Sequence, residues 1–437
     1  MPPTTRSNML PSGSTSSSPP LEIAEIYAED EREYVPLLTS RQHFVDDPES
    51  EIEDEDEEAE TRNVQRGRRR RAGTVQLPPP PPNFEHFVHP RPLHRAFVKL
   101  PPNYDANFSK PVNLFLRFFS NATLDTIVVN TNLYALTKGA GDAGRQWQKI
   151  DRRELIIWIA LVIYQGLFKL PSLNQYWNED AKFPTHSISK LMSLKRFEQI
   201  KRYLHISSPT ATINNYFDKL EPLLSKIRDV SKLLYTPNSN VSVDEMIVRF
   251  SGRSVHTVRI KNKPTPEGFK ILSLCESGYT YTFLPTSRVS PSNVTRVNGL
   301  NQTGCLVYHL VSQLPYQQFS YNIYMDNYFS NVPLFQYFRQ IGIGACGTVR
   351  KTASGFPKEL KVDKNVKLDW DVRSGVTING VLTIFWQDNG PVTMLSTIHG
   401  LVGEEWEVER ERRRPRETST NAAKVCILNI LIFFFNL

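Results

Sequence analysis

Asn240-Val241-Ser242-Val243-Asp244-Glu245-Met246-Ile247-Val248-Arg249-Phe250 is the stretch that decides how this chain is read. Its β-branched and apolar residues predict a strand over 241–250, with one carboxylate, Asp244, planted in the run. An acid half-buried in a strand costs free energy unless something cationic meets it. A second run, Ser320 to Phe329, alternates Tyr321, Ile323 and Met325 with Asn322, Tyr324 and Asp326, so this strand ends on a second acid. Two strand-borne aspartates 82 residues apart, presented on neighbouring strands, form a candidate divalent-metal pair.

Outward from the first strand the pattern is mixed. Strands are predicted at 255–262, 268–275 and 279–285, followed by a helix carrying Val307, Leu310, Val311 and Leu314. After the Asp326 strand come a helix with Leu334, Tyr337, Phe338 and Ile341 on one face and a strand at 344–349. Short strands return over 362–399, among them 380–386 and 392–397. Upstream, residues 111–235 read as helical. Asp151 and Glu154 have capping-box spacing at the start of a helix over 154–164 that is apolar nearly all round and therefore expected to be buried. The aromatics of this block are expected in its core rather than stacked on a ligand.

The first 83 residues combine a Ser/Pro-rich head, an acidic run, an arginine run and Pro78 to Pro82, with too little apolar content to offset ordering entropy, so disorder is expected. Asp46 to Glu60 holds eleven acids and no base; without them the net charge of +7 would be +18, a balance suited to a polyanionic partner. Arg66-Gly67-Arg68-Arg69-Arg70-Arg71 reads as a nuclear-localisation or DNA-backbone segment, or else as a solvated tail paired with the preceding acids. Four scattered cysteines without a CxxC pair argue against a zinc module and a disulfide framework, and they suit a reducing compartment. The two most apolar runs, 155–164 and 426–437, fall short of the ~20 residues a membrane-spanning helix needs. The second follows a dense charged run, 404–417, and is an aggregation liability.

From about residue 111 to 400 the sequence resembles the piggyBac transposase family. The resemblance rests on Val128 to Ala135, Ser242 to Met246, Asn262-Lys263-Pro264 with Gly268-Phe269-Lys270, Tyr324 to Phe329 followed by Pro333-Leu334, Gly347 to Arg350, and Gly355 to Leu360, in that order. It implies an α/β fold: an RNase H-like mixed-sheet core (236–361), preceded by a helical dimerisation and DNA-binding domain (84–235) and interrupted by a mostly β insertion (362–400), with a tail at 401–437. It further implies a two-metal, three-aspartate site using Mg²⁺ or Mn²⁺, with Asp244 and Asp326 as catalytic metal ligands. The activity implied is cutting and joining DNA at inverted-repeat ends with TTAA targets, by a nuclear homodimer with no membrane partner. Arg249, Arg253, Arg259, Lys261, Lys263 and Lys270 are candidate DNA-backbone contacts, with solvated hairpin charges as the competing reading.

Two family features are missing from the sequence. No Gly-Gly-Val-Asp-type motif supplies the third aspartate, and no cysteine-rich module follows. Asp388 reads as a turn residue, and Asp369 and Asp371 as surface acids. Strand cleavage by this polypeptide alone is therefore not expected; the alternative reading is a catalytically dead, transposase-derived DNA-binding protein or a decayed fragment.

Overall fold

The computed structural model describes residues 76–81, 84–99, 110–141, 146–250, 252–260, 264–287, 294–363, 366, 368–388 and 390–402, and the backbone of 407–412 and 423–428. The acidic and arginine runs, Lys261 and Lys263 lie outside these residues.

After a short strand β1 (Phe97–Val98), helices α1 (Pro111–Phe118), α2 (Asn121–Thr137), α3 (Arg152–Leu167), α4 (Leu194–Tyr203) and α5 (Glu221–Leu234) form the helical part. Tyr176, Phe197, Trp158 and Trp177 pack in its core as expected, whereas Phe168 and Phe183 are more than half exposed. Trp158 Nε1 donates to the Phe197 carbonyl at 3.1 Å, Trp177 Nε1 to Met192 at 2.7 Å and the Tyr176 hydroxyl to Phe168 at 2.6 Å. Two expectations for α3 need correction. Asp151 does cap it, accepting from the Glu154 amide at 2.7 Å, but Glu154 does not reach back. Its carboxylate is held instead by Arg196 of α4, at 2.6 and 2.8 Å, because a guanidinium fork is the stronger partner. Nor is α3 buried all round: Leu155 and Leu161 face inward, whereas Ile163 is 49% and Leu167 74% exposed. The helix lies at the surface of the helical layer, so only part of its circumference meets other elements.

A short β2 (Tyr235–Thr236) pairs with β1 and leads into β3 (Asn240–Arg249). Then follow β4 (Val258–Arg259), β5 (Glu267–Glu276), β6 (Tyr279–Pro285), α6 (Gln302–Val311), β7 (Asn322–Met325), α7 (Val332–Gln340) and β8 (Gly344–Thr348). Strand β4 is much shorter than the 255–262 run predicted. Across the sheet the order β6-β5-β3 is antiparallel and β3-β7-β8 parallel, the strand arrangement of an RNase H-like core. Both parallel additions follow a crossover helix, as such connections require. Strand β7 is buried along its whole length, which explains its run of Ile323, Tyr324 and Met325.

The strands β9 (Arg373–Ile378), β10 (Val381–Gln387) and β11 (Pro391–Ser396) form an antiparallel meander, and β11 pairs with β8. They thus extend the same sheet past β8 to nine strands among the described residues. A further antiparallel ribbon pairs β12 (Glu407–Arg412) with β13 (Ala423–Leu428). The main core joins Val241, Val243, Leu272 and Ile323 of the sheet to Leu310, Phe335 and Phe338 of α6 and α7.

Part of the segment expected to be disordered is built into the fold. Ser374 Oγ donates to the Pro78 carbonyl at 2.6 Å, so the proline run lies against β9. Residues 84–99 then form a strap across the sheet end at which β3 and β7 begin. The Phe87 amide donates to Thr397, the Ser320 amide to Pro92 and the His94 amide to Ser239 Oγ. His94 stacks on Phe319 at 4.1 Å. Backbone hydrogen bonds and aromatic contacts order this stretch despite its proline content. The acids stand at the opposite end of the sheet.

Candidate metal centre

Strands β3 and β7 are paired in parallel with Asn240 opposite Asn322 and Val243 opposite Met325, a constant offset of 82 residues. Asp244 and Asp326 have the same offset and lie one step beyond the last pair. This juxtaposition is therefore dictated by strand register. Asp244 is exposed, and its Oδ1 accepts from the Glu245 amide at 2.7 Å, while Ser273 Oγ of β5 donates to the Asp244 carbonyl at 3.2 Å. At Asp326 the chain leaves the sheet in a tight turn. Its Oδ1 accepts from the Tyr328 amide at 2.9 Å and its carbonyl from Ser330 Oγ at 2.9 Å. Asn331 then caps α7, accepting from the Leu334 amide at 3.0 Å.

Carboxylate oxygens of Asp244, Glu245 and Asp326 lie within 4.8 Å of one another. Glu245 is the residue that strand logic misses, since neighbours on a strand alternate faces. The β3–β7 ladder has stopped at Val243, however, so the longer glutamate side chain reaches the aspartates beyond the edge of β7. Its adjacency to Asp244 in the Ser242-Val243-Asp244-Glu245-Met246 motif is the signal that marks it. Three hard oxygen donors at this spacing fit a small divalent cation. Like charges held this close also oppose one another until a cation is shared.

Basic groups surround this end of the sheet. Lys270 of β5 pairs with Ile247, three residues past Asp244, and its Nζ lies 4.1 Å from the centroid of the Tyr328 ring. Arg350 lies 5.9 Å from the same ring and donates from Nε to Asn327 Oδ1 at 3.3 Å. Arg249 ends β3 and Arg259 ends β4, both exposed, and Arg253 is exposed in the loop between them. The other acids weighed as a third ligand are not among the clustered carboxylates, and Asp369 is exposed as expected. Asp371 is not a simple surface acid, for it accepts from Arg373 at 2.9 Å and from Trp386 Nε1 at 2.8 Å. Asp388 lies in the β10–β11 turn, its amide donating to the Gly390 carbonyl.

A family model described as Transposase IS4 matches residues 110–427, nearly three-quarters of the chain. It runs past residue 400, where the motif resemblance ends, and takes in both strands of the β12–β13 ribbon except the last residue. Human PiggyBac transposable element-derived protein 2 is 26% identical over 304 residues, covering 67% of this chain and 49% of its own length. The chain belongs to the piggyBac family. Human PiggyBac transposable element-derived protein 3 is 25% identical over 315 residues, covering 70% of this chain and 51% of its own length. The chain thus spans about half the length of the curated piggyBac relatives it matches. In fold it is similar to a piggyBac transposase solved by cryo-EM in a synaptic complex with hairpin DNA. The TM-score is 0.57 at 22% identity, over 68% of this chain and 63% of the other.

Proposed function

We propose that this chain is a transposase-type DNA-binding protein whose Asp244, Asp326 and Glu245 hold a divalent cation, Mg²⁺ or Mn²⁺, against a DNA phosphodiester. The observation that carries the reading is the carboxylate cluster within 4.8 Å at the open end of the sheet. When bound, paired divalent ions stabilise the attacking and leaving oxygens of phosphoryl transfer. The protein's part is to present oxygen ligands from two register-locked strands, with Lys270, Arg249, Arg253 and Arg259 further along β3, β4 and β5 and the turn between β3 and β4, and Lys261 and Lys263 following Arg259 in sequence. Such cations draw the phosphate backbone in without reading its sequence. Family membership supports inverted-repeat ends and TTAA targets as the DNA, a homodimer as the assembly and the nucleus as the compartment.

Three carboxylates at one point suit one cation, whereas two-ion chemistry needs further oxygen ligands. Cation and DNA binding are thus the activities expected of these 437 residues alone, and excision is not. Incubation with inverted-repeat duplex and Mg²⁺ or Mn²⁺ tests this. Strand cleavage abolished by Asp244→Ala would show that the polypeptide is itself an enzyme; salt-dependent binding without cleavage agrees with the proposal. Absence of any DNA binding at low salt would contradict it.

A further inference from the structure

A cleft of about 320 Å³ lies between α5, β6 and α6, apart from the carboxylate cluster. Its walls repeat one spacing. Helix α5 contributes Arg228 and Lys232 one turn apart, and His309 of α6 and Gln313 just beyond it stand at the same interval. Phe283 of β6 completes the cleft, with the Arg228 guanidinium 5.6 Å from its ring centroid. Lys232 Nζ donates to Gln313 Oε1 at 3.2 Å, joining the two helical walls.

The acids lining the cleft are already engaged. Glu221 takes a hydrogen bond from Arg228 Nη2, and Asp229 pairs with Lys232 at 3.4 Å. Asp218 Oδ2 accepts the amides of Asn214 and Asn215 at 3.0 and 2.8 Å. Two buried nitrogens are left without a hydrogen-bond partner among the described residues, Arg228 Nη1 and His309 Nδ1. Buried polar groups of this kind call for an explanation, and a ligand or water supplies one. Burial, reinforced by Arg228 and Lys232, holds the His309 pKa below its ordinary value. The imidazole is then neutral at neutral pH, and its Nδ1 is able to donate or to accept.

The charges decide the class of ligand. Two cations face three carboxylates, so the wall does not favour a phosphate dianion. An uncharged planar group with a keto oxygen beside a ring N–H matches better. Arg228 Nη1 donates to the oxygen, His309 Nδ1 accepts the N–H, and the Phe283 ring with its guanidinium provides a stacking surface. Position points the same way. Phe283 is paired with Ser273, and Ser273 with Asp244, so the cleft begins two strand spacings, about 10 Å, from the carboxylates.

We propose that this cleft binds one unpaired nucleobase of the keto–imide type, thymine or guanine, beside the carboxylate site. The nucleic-acid source of the base rests on the function proposed above; the chemistry of the cleft does not.

Saturation-transfer NMR with the full chain and the nucleoside thymidine tests the inference. Thymidine should give transfer signals that fall about fivefold or more in His309→Leu and in Arg228→Met, and N3-methylthymidine should bind as poorly to the unaltered chain. Loss in His309→Leu alone is sufficient if Arg228→Met does not fold. Three results would overturn the proposal: no thymidine signal, equal signals in folded variants, or displacement of thymidine by inorganic phosphate. Thymidine binding without affinity for oligothymidylate supports the cleft and contradicts the DNA reading. Equal affinity for oligothymidylate and an abasic oligonucleotide of the same length contradicts the cleft and leaves the DNA reading standing.

Discussion

Asp244 and Asp326 stand one residue beyond the last pair of the β3–β7 ladder, and the 82-residue offset that sets Val243 opposite Met325 also sets the two acids side by side. Sliding β3 by one residue would turn Val241 and Val243 out of the core, and sliding β7, buried on both faces, would exchange Ile323 and Met325 with Asn322 and Tyr324 between two differently packed layers, so core packing fixes the distance between the acids. The carboxylate cluster inherits its geometry from the hydrophobic pattern of two strands.

Gly347 of β8 supports this arrangement from the other side of β7. A Cβ there would lie 2.3 Å from Ser330 Oγ and 2.5 Å from the Met325 carbonyl oxygen, and the second of these is backbone that cannot rotate away. Gly347→Ala should therefore destabilise the chain by about 1–3 kcal/mol and displace the turn that carries Asp326. Thermal unfolding reads the first effect; weakened Mn²⁺ binding reads the second.

The Arg196–Glu154 pair ties α3 to α4. Its guanidinium also donates to the Gln148 carbonyl at 3.0 Å and lies 5.1 Å from the centroid of the Trp147 ring. Lysine keeps the charge but loses the planar fork, so Arg196→Lys should cost about 1–2 kcal/mol in chemical denaturation. A change within about 0.5 kcal/mol would place the pair among ordinary surface ion pairs.

His399 gives a pH dependence of definite sign. Burial, with a smaller contribution from His86, pushes its pKa down to about 4, below the ordinary 6.5. The unfolded chain then binds a proton that the folded chain excludes. The stability contribution is complete above about pH 6.5 and is lost as pH falls toward 4, an effect of at most a few kcal/mol. His399→Gln should flatten unfolding free energy against pH across that window relative to the unaltered chain.

Much of this was legible in the sequence, for identifiable reasons. The boundaries of β6 and, to within one residue, the ends of β3 and β5 follow the β-branched and aromatic runs and the turn residues that bound them. The pairing of Asp244 with Asp326 followed from one strand carrying an acid in its run and a second leading directly into one. Glu245 did not, because its place in the cluster depends on where the β3–β7 ladder stops, and that is a tertiary fact. Nor did the outer face of α3: an apolar helix surface is the same in sequence whether or not a neighbour covers it. The strap at 84–99 was hidden by its prolines and histidines, which carry no periodicity and gain order from Ser239, Ser320 and Thr397 far along the chain.

The basic groups further along β3, β4 and β5 predict a salt law. If Arg249, Arg253, Arg259 and Lys270 meet phosphates, log affinity for DNA should fall linearly with log salt, and replacing any one with Gln should lower the slope by about 1. Arg249→Gln is the cleanest variant, since its side chain is exposed at the strand end. An unchanged slope in all four variants would mean that these are solvated charges.

Mn²⁺ titration followed by electron paramagnetic resonance tests the account most directly, comparing the unaltered chain with Asp326→Asn and Asp244→Asn. Asp244 is exposed and Asp326 partly exposed, so the variants should fold and keep their thermal midpoints. The account predicts saturable binding of Mn²⁺ to the unaltered chain, weakened tenfold or more, about 1.4 kcal/mol, in each variant. Equal Mn²⁺ affinity in all three proteins, or no saturable binding to the unaltered chain, would contradict it.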